Sequence, residues 1–183
     1  MQQALIADHL ATVQRAQARF GQLSTAKINH RPAPDKWSIG LCLEHLMVTD
    51  ATYTPAFSAI LAGTYRPTLW GRISPFSGYL GAMLVRETGA EVQRPAQSPP
   101  AFRPSESSHL PADIVQRFVA HGHELNAVLA KLTVTDTTVI IASPALGLIT
   151  YPLSQCIEIL VRHTERHVRQ AERVMESEGF PEL

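Results

Sequence analysis

Several things are scarce in this chain of 183 residues, and each scarcity excludes a class of protein. Cysteine occurs only twice, at Cys42 and Cys156, too few for a disulfide scaffold. Both fall inside helical patterns, where a buried free thiol is the expected state. Excess charge of either sign is missing: sixteen basic and sixteen acidic residues cancel. Without a basic stripe interleaved with aromatics, nucleic-acid binding has no electrostatic support. No apolar run approaches the ~18 residues of a membrane span. The N-terminal MQQALIADHLATVQ has no basic region followed by an apolar block, so the expectation is a cytoplasmic protein with no membrane partner. There is no GxSxG elbow, no phosphate loop and no GxGxxG.

Four long helical patterns are present, and their apolar stripes predict an all-α four-helix bundle occupying residues 1–183 as one domain. The first runs from Gln3 to Leu23, with Leu5, Ile6, Leu10, Val13, Ala16 and Phe20 at helical spacing. The second spans Ile39 to Leu61 behind Ser38, a good N-cap, and Pro55 is expected to kink it or end its first half. The third begins near Leu110 or Pro111 and ends before TVTDTT; the fourth runs from Leu153 to about Ser177. Between the second and third lies a long irregular crossover, residues 63–107, rich in proline and glycine and holding one short helix over Gly78–Thr88. Val139–Ile141 and Leu148–Thr150 have strand character, but too little surrounds them for a sheet.

Histidine is the abundant oddity, eight against four tyrosines and two tryptophans. In HTERH, residues 163–167, the two histidines are four apart and share one helix face, within ~40° of each other. The spacing is that of HExxH zinc proteases, but Thr164 stands where their glutamate would be, and Glu165 points ~200° away. With Leu160 set at zero, His163 and His167 fall at about −60° and −20°, on the stripe shared with Leu153, Cys156, Thr164, Ala171 and Val174. Two core imidazoles need a partner for each ring nitrogen, and a shared metal ion supplies one. His45 joins a face with Cys42 and Thr49, adjoining the Leu41 and Leu46 stripe, so a second helix can present a third imidazole inward. Without a metal, the same three residues would be hydrogen-bonded core histidines.

The stretch RPAPDKWSIGLCLEHL, with Trp-Ser before a helix and a histidine seven residues after the serine, resembles the DinB-like superfamily, including its YfiT-like metal-dependent members. SPALGLITYPLSQCIEILVRHTERHVRQAERV is similar to that family's final loop and helix, with its Pro-x-x-Gly turn, HxxxH, and a glutamine three residues later. The resemblance implies a metal held by His45, His163 and His167, with water completing the sphere. It also implies a small-molecule partner, in some members a low-molecular-weight thiol. The crossover from Tyr65 to His109 departs from the family pattern.

Three neutral imidazoles leave an open coordination position on a divalent ion, zinc, nickel or iron, which suits catalysis more than a closed structural site. A metal-dependent transferase or hydrolase activating a thiol or water is the resulting expectation, against a non-catalytic, stress-linked binding or dimerisation bundle. His121, on the third helix between Phe118 and Leu125, is a weak candidate for a catalytic role or a fourth ligand; its ordinary reading is a hydrogen-bonded core histidine. Asp50 is expected off-axis, Glu44 and Glu165 around the site or in solvent, Arg166 and Gln170 at a rim or on the surface. Trp37 is read as an anchor for the loop before the second helix. His9, His30 and His109, in polar or terminal stretches, and His123, facing elsewhere, receive no role. A homodimer through an exposed apolar helix face is expected.

Overall fold

The computed structural model describes residues 2–89, 98–105 and 109–181. The rest of the crossover, residues 90–97 and 106–108, lies outside the described residues. Among the described residues the chain is predominantly helical, with seven α-helices and one two-stranded sheet. The long ones are α1 (Gln2–Phe20), α3 (Ile39–Leu61), α6 (Ile114–Leu132) and α7 (Leu153–Met175). Helices α1 and α3 each pack against both α6 and α7. Three short helices fall between the long ones: α2 (Thr25–Asn29), α4 (Leu69–Ile73) and α5 (Ser77–Glu87).

Local chemistry sets the boundaries. The Ser38 hydroxyl accepts from the Leu41 amide at 3.2 Å and caps α3. Pro55 does not break that helix, which continues to Leu61. Ala51 and Pro55 are both exposed, so the Ala51 carbonyl that loses its helical donor faces water, and the cost is small. At the end of α1 the expected boundary was too late: the helix stops at Phe20 and Ser24 caps the separate α2. Helix α6 starts at Ile114, after a turn over the residues that were expected to open it. Within the crossover, α4 and the 3₁₀ turn Pro100–Phe102 were not anticipated.

A sheet does form, its strands displaced by one residue from Val139–Ile141 and by two from Leu148–Thr150. Strands β1 (Ile140–Ala142) and β2 (Thr150–Pro152) pair antiparallel, with Ile141 opposite Tyr151. A lone hairpin is marginal in water, but α4 packs on β1 and α5 on β2. Buried Tyr151 bonds the Tyr53 hydroxyl of α3 at 2.8 Å. Close approach depends on Gly81, where an added Cβ would run into Gln155 Oε1 and lie 2.6 Å from Tyr151 Cβ.

Two apolar clusters make up the core. One gathers Phe20, Leu41, Leu43, Leu46, Phe118 and Val168; the other gathers Tyr53, Phe57, Leu129, Tyr151 and Leu160. On α3, His45 lies among first-cluster residues, between Leu43 and Leu46, and the second cluster begins further along at Tyr53. On α7, His163 and His167 fall between Val161 of the second cluster and Val168 of the first. The two histidines of α7 therefore lie where the two cores meet, facing His45 at the edge of the first.

Candidate metal centre

His45 stands two turns inside the capped start of α3, and His163 and His167 are one turn apart on α7, which packs against it. One nitrogen from each ring lies within 4.8 Å of the others. The ring centroids are 5.0 Å (His45 to His163), 4.6 Å (His45 to His167) and 4.5 Å (His163 to His167) apart. His45 and His167 are buried; His163 is partly exposed, although its Nδ1 is not.

Hydrogen-bond partners determine which nitrogen is free. His45 Nδ1 lies 2.5 Å from the Phe102 carbonyl oxygen, an acceptor, so Nδ1 carries the proton and Nε2 of the neutral ring keeps its lone pair. His167 Nδ1 donates in the same way to Gln170 Oε1 at 2.9 Å. His163 Nε2 is 3.2 Å from His45 Nε2, and His163 Nδ1 is buried without any partner. A neutral trio thus leaves a buried nitrogen unsatisfied, a costly state.

The three pKa values all shift in one direction. Burial holds His45 below the usual imidazole range, against the Phe102 carbonyl and the charge of Asp50. Burial, then the neighbouring His45 and Arg166, pushes His163 down to about 3. Burial and the two other imidazoles hold His167 well below its ordinary value. All three are neutral near pH 7, the form that ligates metals.

The donor set fits a divalent ion. Two nitrogens on a tetrahedral zinc at ~2.05 Å would be ~3.3 Å apart, close to the 3.2 Å between His45 and His163. Imidazole ligands whose second nitrogen donates to a carbonyl oxygen are the usual supporting arrangement.

Two of those supports were not identified from the sequence. Gln170 was placed at a rim or on the surface, yet its three-residue spacing from His167 was a usable signal, because such pairs meet on a helix. Phe102 acts through its backbone carbonyl, which no residue pattern reveals. Glu44 holds this segment in place: its carboxylate accepts from the Ser105 amide at 2.8 Å and hydroxyl at 2.7 Å. Trp37 does anchor the loop before α3, and it also covers the histidines, with its ring 4.8 Å from His45 and 5.8 Å from His167.

Other residues go elsewhere. His121 is not in the trio; its Nε2 pairs with Asp50 Oδ2 at 3.1 Å, the ordinary reading of that residue. Asp50 is buried, not merely off-axis. Glu165 faces α1, accepting from Thr12 at 2.8 Å and Arg15 at 2.7 Å. His9, given no role, is buried and bonds Asn126 Oδ1 at 3.1 Å. Both cysteines are free and buried.

Fold and site define a class: a helical protein in which three histidines from two packed helices converge on one point. The chain belongs to the DinB superfamily, whose family model matches residues 9–171. No curated protein and no solved structure matches it. No helix among the described residues is long and apolar enough to cross a membrane.

Proposed function

We propose that this protein is a four-helix-bundle, metal-dependent enzyme of the cytoplasm, acting on a small molecule as a thiol S-transferase or hydrolase. The observation that carries the proposal is the convergence of three imidazoles, each held neutral, with the free Nε2 atoms of His45 and His167 fixed by acceptors on their Nδ1 atoms. His45, His163 and His167 would hold the ion, with zinc, nickel and iron all compatible with imidazole. A divalent ion there supplies Lewis acidity, lowering the pKa of a water or a thiol that reaches it. The chain's own residues orient the ligands: Phe102 and Gln170 fix the ring protons, and Trp37 keeps water from one side. Asp50 adds negative charge that favours the protonated form of His45.

A second reading, a non-catalytic binding protein, has one observation in its favour. Trp37 and the Phe102 carbonyl crowd the trio, while two surface cavities, of 680 and 350 Å³, are lined by other residues. Elemental analysis with an activity panel separates the two. The enzyme reading expects one divalent ion per chain, lost in His45→Ala, and turnover of electrophiles or esters that depends on it. Metal content unaffected by His45→Ala would remove the site. Full metal with no turnover on thiol-electrophile and ester panels would leave the binding protein.

A further inference from the structure

The three ligands are not covered equally. Trp37 lies over His45 and His167, both of them buried, while His163 is partly exposed. Among the described residues the open side of the trio is therefore that of His163. Arg166 stands on this side: three residues after His163 on α7, it shares a helix face with it. Its side chain is half-buried, and its Nη1 donates to the Glu87 carbonyl at 2.6 Å, at the C-terminal end of α5. A helix C-terminus is a favourable seat for a cation, and a carbonyl fixes the guanidinium without cancelling its charge. That charge reaches the site, because Arg166 helps to lower both His163 and His167.

We propose that the small molecule taken by this site carries a carboxylate, and that Arg166 is the residue that selects it; the proposal rests on the metal-dependent enzyme reading above. Neutral imidazoles offset none of the charge of a divalent ion, so the ion and Arg166 together make a site with two positive centres. The described acids that act on this group have partners of their own: Asp50 bonds His121, and Glu87 lies 3.8 Å from Arg86. A guanidinium presents a planar fork that matches a carboxylate. Half-buried, it acts more strongly than a fully solvated cation, because solvent and salt screen it less. The ion would take the reacting group and Arg166 the charged tail, so a molecule bearing both is held at two points.

The test is isothermal titration calorimetry of the zinc-loaded full chain with 3-mercaptopropionate and with its uncharged amide, 3-mercaptopropionamide. A thiol binds an open zinc position whichever nucleophile the enzyme uses. The carboxylate is expected to bind about 10–100-fold tighter than the amide, the effect of one charge-assisted contact. Arg166→Gln should erase that preference at unchanged zinc stoichiometry, and Arg166→Lys should keep part of it. Equal affinities in the wild type would overturn the proposal without any variant, and so would a preference that survives Arg166→Gln. Loss of zinc in Arg166→Gln would make the residue a structural support and overturn it too. Equal affinities or a surviving preference leave the enzyme reading standing, because thiols still reach the ion. A zinc-loaded chain that binds neither thiol would remove the enzyme reading and the proposal with it.

Discussion

The protein packs two groups of histidines between its helices, and they are solved in opposite ways. Between α1, α3 and α6, each histidine has a partner of its own: His9 bonds Asn126 Oδ1, and His121 bonds Asp50 Oδ2. Between α3 and α7, nitrogen meets nitrogen, and the buried Nδ1 of His163 meets nothing. Their titration differs accordingly. His9 is lowered by burial, against its bond to Asn126, and His121 is raised because the Asp50 bond and charge, with Glu124, outweigh its own burial. The trio shifts down as a body. A histidine provided with an oxygen acceptor is complete as protein; three imidazole nitrogens within 4.8 Å of one another suit a cation.

The sharpest way to break this contrast is to remove one member of the trio. His163→Ala should take bound metal from one ion per chain to near zero, while His121→Ala leaves it unchanged. Added metal at 100 times its Kd should stabilise the wild type by about 2.7 kcal/mol. For a chain of this length that is a rise of roughly 5–10 °C in Tm, and it should vanish in His163→Ala. Equal loss of metal from both variants would mean that the two groups are not distinct.

A smaller effect is expected one step out from the ligands. Gln170→Ala removes the acceptor that fixes the His167 ring. Losing such a support costs typically 10–100-fold in metal affinity, or about 1.4–2.7 kcal/mol. Isothermal titration with zinc reads it directly. Unchanged affinity would show that the tautomer of His167 is set some other way.

The sequence made the trio legible because helices impose a simple rule. Residues four apart share a face, and apolar neighbours such as Leu160 and Ala171 say which face turns inward. The same rule placed α3 at Ile39–Leu61 and α7 at its observed start. What it could not show depends on the tertiary context. The hairpin at 140–152 has little strand potential of its own and exists because α4, α5 and Tyr53 cover it. His9 lay in a polar-looking stretch, yet faces the core because Asn126 and Asp50 on other helices receive it. Phe102 contributes a carbonyl, which every residue type would offer equally. Pro55 does not end α3, because a proline on an exposed face leaves its orphaned carbonyl to water.

The next test works on the second group. Asp50→Asn keeps an oxygen for His121 but removes the charge, and the loss of a charge-assisted bond should cost about 1 kcal/mol of stability in urea unfolding. Bound metal should stay at the wild-type stoichiometry, because Asp50 is not among the ligands. Metal lost along with stability would make the carboxylate part of the trio's support.

The smallest expected effect is the dependence of that cost on pH, measured after chelation so that no ion obscures it. In the folded wild type His121 titrates above its unfolded value of ~6.5. Below ~6.5 both states carry the proton and the stabilisation from Asp50 is fully present; it is lost as pH rises through the folded pKa. The trio and His9 act in the other sense, because their folded values are lowered: their contribution is present above ~6.5 and declines as pH falls. Chelated wild type should therefore lose stability on acidification, with His121 opposing the loss. Asp50→Asn removes that opposition, so its deficit relative to wild type should be larger at about pH 5.5 than at about pH 8. With His121 partly exposed, the change should be below about 1 kcal/mol. Urea midpoints at the two pH values measure it. A deficit that grows toward alkaline pH would mean that His121 is not the charged partner of Asp50, and the contrast between the two groups would fail at that pair.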